Sequence, residues 1–189
     1  LLFIDRGSFS YTGYPEKRHI DRVSSSHNGP VINGWEQNRI WKDELFYIGS
    51  DAECYRNIES LGGKITIKGW HTGYGRFRRG LIVFRKVEWN TSDRVMMITD
   101  WIEYGGNKEQ YTFSWNFLIN PEWTTEVANK TFTFTNRSKK LYFEGAEKVG
   151  LTLDRGRFCP HYQRELPCWA LKGTCSAEVG ERIHFILHY

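Results

Sequence analysis

The chain has 189 residues, a formal net charge of +4 and a composition that is 16% Phe, Trp and Tyr. A chain of this length buries roughly 70% of its unfolded surface, which suits one domain, or one domain with a small appendage. The charge is mild and the isoelectric point of about 8.8 is below that of a typical nucleic-acid-binding domain. No apolar run approaches the ~20 residues of a membrane span, so neither a nucleic-acid partner nor a membrane span is expected.

The first residues, Leu1-Leu-Phe-Ile4, read as a short apolar strand. The chain opens inside that strand without a Met and is read as a fragment of a longer polypeptide. Asp5 to Asn38 then runs through turn residues rather than a periodic pattern, and it is too aromatic to be a good disorder candidate. It is interrupted by a short strand from Pro30 to Asn33. Further strands are expected at Glu44–Ser50, Ala52–Ile58, Lys64–Trp70, Leu81–Trp89, Arg94–Ile102 and Gln110–Ile119. Thr131–Thr135 and Lys139–Phe143 flank Asn136-Arg137-Ser138 as a hairpin. Lys148–Leu153, Leu166–Leu171 and Arg182–Tyr189 complete the set. No amphipathic helix stands out. Regular turns with little helix predict an all-β fold, a large antiparallel β-sandwich. Residues 1 to about 120 read as one continuous sheet system, and the part after Pro121 can form a smaller second sheet layer. Of the four cysteines, Cys54, Cys159, Cys168 and Cys175, none forms a CxxC pair, which argues against a structural zinc finger. A disulfide among the last three and a reduced, buried state both stay open.

Four constellations carry potential chemistry. Asp5 and His27 flank the long loop, and a carboxylate with an imidazole can bind zinc if a third ligand joins them. The bland alternative is a turn cap and an ordinary hydrogen bond. His71-Thr-Gly-Tyr74-Gly-Arg76 lies between two strands. Its arginine matches carboxylate or sulfate oxygens, unless the segment is a solvated basic hairpin. The row Tyr111, Phe113, Trp115 and Phe117 shares one face of a strand and is read as a core wall rather than a sugar platform. Cys159-Pro-His161 offers a thiol and an imidazole too close in sequence to activate one another.

Asp5-Arg-Gly7-Ser8, followed by Ser24-Ser-Ser-His27-Asn28 and Gly34-Trp-Glu-Gln37, resembles the C-terminal β-domain of heparinase II/III-like proteins. His71-Thr-Gly-Tyr74 is similar to that family's His-Asp-Gly-Tyr, and Arg85 and Asp100 fall where the family often has Arg and Asp. Ser8 stands where Thr is common. The run before His27 lacks the common Arg-Ser-Thr, with Arg22 as a stand-in for its arginine. The resemblance implies a sandwich of the supersandwich type and an upstream α/α toroid domain in the same polypeptide. It implies a polysaccharide lyase that cleaves uronic-acid-containing, acidic polysaccharide by β-elimination. The main catalytic residues of such enzymes lie in the toroid, so this chain alone is expected to be silent. The family's zinc is held by a histidine just before the region matching Leu1 and by the residues matching Asp5 and His27. Some relatives carry a catalytic tyrosine on the loop between those two, which makes Tyr11 and Tyr14 the candidates. His71, Tyr74 and Arg76 would bind substrate. A bacterial, periplasmic or secreted location would follow. The alternative is a non-catalytic carbohydrate-binding or assembly module in polysaccharide or capsule formation.

Overall fold

The computed structural model describes residues 1–107 and 109–189. In chain order the strands are β1 (Phe3–Ile4), β2 (Val31–Ile32), β3 (Cys54–Leu61), β4 (Lys64–His71), β5 (Ile82–Asn90), β6 (Val95–Glu103), β7 (Gln110–Ile119), β8 (Thr124–Ala128), β9 (Thr131–Asn136), β10 (Lys139–Gly145), β11 (Gly150–His161), β12 (Arg164–Glu178) and β13 (Ile183–His188). One helix, α1 (Pro15–Arg22), and a 3-10 turn, Ser24–Ser26, lie between β1 and β2. The strands form two antiparallel sheets. An eight-stranded sheet has the order β3-β4-β5-β6-β13-β10-β9-β8, and a five-stranded sheet has the order β1-β7-β12-β11 with β2 also on β7.

The sandwich follows from alternation. Along β7 the side chains of Tyr111, Phe113, Trp115 and Phe117 point inward and are at most 3% exposed, as the core reading of that row expects. Trp115 and Phe117 meet Phe185 of β13 and Phe143 of β10 edge-on, with Trp115 5.0 Å from Phe185 and Phe117 5.7 Å from Phe143 between ring centroids. Each such buried ring contributes about 1.5–3 kcal/mol of transfer free energy, plus a smaller gain from its geometry.

Several expectations need correction. The strands after Pro121 do not make a separate layer: β8, β9, β10 and β13 join the larger sheet, and β11 and β12 join the smaller one. Residues 1–120 are likewise divided between both sheets. Glu44–Ser50 forms no strand beyond an isolated bridge, Ile40 to Ile48. Its carbonyls are taken by side chains instead: Arg22 donates to Glu44 and Tyr47, and Arg18 donates to Leu45. The hairpin β11–β12 is far longer than expected. Its extra half is charged and carries Pro160, and it is held by pairing with β12 through an irregularity between Phe158 and His161.

Helix α1 was not expected. Pro15 at its start and Glu16 in its first turn are ordinary helix signals. It has no apolar stripe because polar contacts dock it. Asp21, buried, accepts from Arg6 Nε at 2.6 Å and from the Phe9 amide at 2.8 Å. Arg18 also donates to Ser8 Oγ at 2.9 Å.

Candidate metal-binding pair

Both short strands pair with one edge of β7. Phe3 and Ile4 face Ile119 and Leu118, while Val31 and Ile32 face Ser114 and Phe113. The chain therefore leaves β7 after Ile4 and returns to the same edge a few residues along. That return brings Asp5 and His27 together. Asn28 bridges the gap in the ladder: its Nδ2 donates to the Ile4 carbonyl at 3.0 Å, and its Oδ1 accepts from the Leu118 amide at 3.0 Å. One side-chain amide thus substitutes for a strand peptide.

A second brace comes from the opposite sheet. Asp100 is fully buried and accepts from Arg85 Nε at 2.8 Å and Nη2 at 2.7 Å, with Trp115 Nε1 at 2.8 Å on the same carboxylate. Arg85 Nη1 then donates to the Asn28 carbonyl at 2.7 Å. The 3-10 turn before His27 is held by Glu36, which accepts from the Ser24 amide and hydroxyl, each at 2.9 Å.

The turn after Asp5 explains the spacing of its motif. Asp5 Oδ1 accepts from the Gly7 amide at 3.0 Å. Gly7 has φ +70°, and a Cβ there would lie 2.3 Å from the Cys159 carbonyl oxygen. Only glycine lets this turn seat against β11, where the Cys159 amide donates to the Arg6 carbonyl at 2.8 Å.

Asp5 Oδ2 and His27 Nδ1 stand 2.6 Å apart, with side chains 60% and 42% exposed. The hydrogen bond from His27 holds the Asp5 carboxyl below its usual value, and the same bond raises the imidazole. The Asp21 backbone carbonyl adds a smaller pull of the same sign on His27. The pair fits a metal in part. One oxygen and one nitrogen donor converge at the surface, on a backbone that other residues fix. Tetrahedral zinc bonds of about 2.0–2.1 Å would set two such donors about 3.3 Å apart, so the pair needs only a slight opening. Among the described residues no group of three or more His, Cys, Asp or Glu has metal-holding geometry.

The other expected site residues fall elsewhere. Tyr11 and Tyr14 are half exposed; Tyr11 stacks on Tyr162 with the Arg18 guanidinium 5.2 Å from its ring, and Tyr14 meets Phe9 edge-on. Tyr74 does not face solvent. It is fully buried, its hydroxyl accepts from the Ile32 amide at 3.4 Å, and burial pushes its pKa up to about 12. Arg76 is committed to Asp51, at 3.2 Å, and to the Glu36 carbonyl. His71 is partly buried with Nδ1 accepting from the Gly73 amide at 3.2 Å, and burial lowers its pKa to about 4. The segment therefore fastens the Glu36 loop to β4, which its composition could not reveal. Arg22 is buried beneath the Glu44–Tyr47 loop. All four cysteines are free, and burial raises the Cys168 thiol to about 11. Asn28 and Glu36 were the residues that reasoning from chemistry passed over. Their signal was only their place in the motifs.

The family model for the heparinase II/III-like C-terminal region matches residues 1–175. The chain belongs to that family. Among solved structures, it is similar over 98% of its length to a heparinase III gene product, at 15% identity and a TM-score of 0.73. It is similar over 99% of its length to heparan sulfate lyase HepC from Pedobacter heparinus, at 14% identity and a TM-score of 0.73. These likenesses show the fold. The chain spans 27% of the first of these proteins and 28% of the second. No curated protein matches it.

Proposed function

We propose that this chain is the β-sandwich portion of a polysaccharide lyase that acts on uronic-acid-containing glycans by β-elimination. Family membership supports the class, and the Asp5–His27 contact at 2.6 Å is the observation that carries the reading to particular residues. In β-elimination a base removes the proton on C5 beside the carboxylate, the developing charge is neutralised, and an acid protonates the leaving oxygen. The principal acid and base would come from an α/α toroid in the same polypeptide. Asp5 and His27 would hold zinc there, completed by a ligand outside this chain. When bound, zinc would supply a fixed positive charge and a rigid link between the two sides of the loop. Asn28 and Arg85 orient the pair, and Tyr11 and Tyr14 stand on the same loop as hydroxyl-bearing candidates for the cleft.

The test is product release. The toroid-containing protein, given an unsulfated glucuronate polymer and a sulfated one, should release unsaturated uronide that absorbs in the ultraviolet. This chain alone should release none. No unsaturated product from any acidic glycan with the toroid-containing protein would refute the lyase reading.

A further inference from the structure

The eight-stranded sheet ends on β3, which pairs with β4 along its whole length in an unbroken antiparallel register and has no second partner strand among the described residues. All eight of its residues are exposed. The Thr72 amide donates to the Glu53 carbonyl at 3.1 Å, which sets the alternation along the strand. Tyr55, Asn57, Glu59 and Leu61 turn their peptide groups toward β4. Cys54, Arg56, Ile58 and Ser60 therefore direct their amides and carbonyls away from the sheet.

The other outermost strands are blunted. Strand β8 is only five residues long and is followed by Asn129 and Lys130, both with positive φ. Strand β11 carries Asp154, Arg155, Arg157 and Pro160, and its register is irregular between Phe158 and His161. Short length, charge, proline and irregularity all keep an edge from pairing. Strand β3 has no proline, no lysine and no break in register. It exposes apolar side chains on both faces instead. On one face Ile58, 55% exposed, lies beside the exposed Ile67 of β4. On the other, Tyr55 is the last of four stacked rings, Tyr55, Trp70, Phe84 and Trp101, with neighbouring centroids 5.6, 6.0 and 4.9 Å apart. These rings cross from β3 to β6 in direct register. Leu61, on the same face as Tyr55, is 86% exposed.

An antiparallel partner must set outward-facing peptides against outward-facing peptides. With a two-fold axis at Ile58, a second copy meets this rule and brings like to like. The partner's Ile58 lies opposite Ile58, and the partner's Ser60 opposite Arg56. The partner's Glu59 lies opposite Asn57, whose amide is a donor, and the partner's Leu61 covers the open end of the aromatic row at Tyr55. No like charges are directly opposed. An axis at Asn57 would instead set Tyr55 against the partner's Glu59 and Arg56 against the partner's Ile58. We propose that β3 is a dimerisation edge, on which a second copy of this chain adds antiparallel in the register centred on Ile58. Two-fold closure consumes both edges, so assembly stops at two chains. Eight residues of edge make a small interface beside the about 1,600 Å² of a standard one, and a dissociation constant of about 10–100 µM is expected. This surface does not depend on the lyase reading.

Sedimentation equilibrium of the chain from about 2 to 500 µM tests the assignment. The mass should rise from that of one 22.3 kDa chain to twice that value and go no higher. Ile58→Lys sets two ammonium groups against each other at the axis and should weaken association at least tenfold. Val127→Lys makes a similar change on β8, at the opposite edge of the same sheet, and should alter it less than twofold. Crosslinking reads the register. In a Cys54→Ser background, Ile58→Cys places two thiols on strand positions with Cα atoms about 5.5 Å apart, within disulfide range. Ser60→Cys places them about 13 Å apart along the strands, out of range. Oxidation should therefore link the first variant into dimers and leave the second single. A single-chain mass up to 500 µM, growth beyond two chains, equal losses in the two lysine variants, or equal crosslinking of the two cysteine variants overturns the proposal.

Discussion

Gly7 and Asn28 are the residues on which the geometry of the loop depends. Gly7→Ala places a Cβ against the Cys159 carbonyl and forces a left-handed backbone on alanine. It should cost at least about 2 kcal/mol in chemical denaturation. Asn28→Ala removes two hydrogen bonds that close the β7 edge. The expected loss is about 2 kcal/mol, with faster amide exchange at Leu118 as a local readout. His71 sets a pH dependence. Its folded pKa of about 4 lies below the 6.5 of an unburied imidazole. Above that value neither folded nor unfolded chain is protonated there, and the group contributes no slope. As pH falls from 6.5 to about 4, the unfolded chain takes up a proton that the folded chain refuses. Stability is lost over that window, by up to about 3 kcal/mol. His71→Gln should flatten the difference between stability at neutral pH and at pH near 4, and a variant curve parallel to the native one would exclude this account.

At the scale of elements, the edge of β7 determines the site. It receives β1 and β2 in one line, and everything between them is an excursion anchored at both ends. The Arg85–Asp100 pair ties that excursion to the opposite sheet. Asp100→Ala leaves Arg85 without its partner in a mostly buried position, which should cost about 3–5 kcal/mol. It should also loosen His27, visible as an imidazole resonance shifted toward the free value. Strands such as Gln110–Ile119 were legible because period-two aromatic residues mark an inward face, and the observed bounds agree. Helix α1 was not, because its docking rests on Asp21, Arg18 and Arg22 rather than on an apolar stripe. Strand β8 was missed for a related reason: Thr124–Ala128 is mostly exposed and offers no buried face to betray it. Of the candidate site, the motifs singled out Asp5 and His27, and the structure brings these two side chains into contact. The burial of Tyr74 and the capture of Arg76 by Asp51 depend on packing partners distant in sequence, which residue types alone do not reveal.

For the whole molecule, two sheets of unequal width enclose an aromatic core, and the loop that carries Asp5 and His27 leaves and rejoins the β7 edge of the narrower sheet. Gly7 and Asn28 hold the loop in place, whereas exposed groups such as Asp5 and His27 add little to folding, about 1 kcal/mol or less for their pair. The most direct test of the central claim is the metal content of the toroid-containing protein after extensive dialysis, compared with its Asp5→Ala and His27→Ala variants. The account predicts about one zinc per chain in the native protein and its loss from both variants, with their folding transitions retained. A native protein without bound metal, or variants that keep it, would contradict the claim that these two side chains are ligands of one ion.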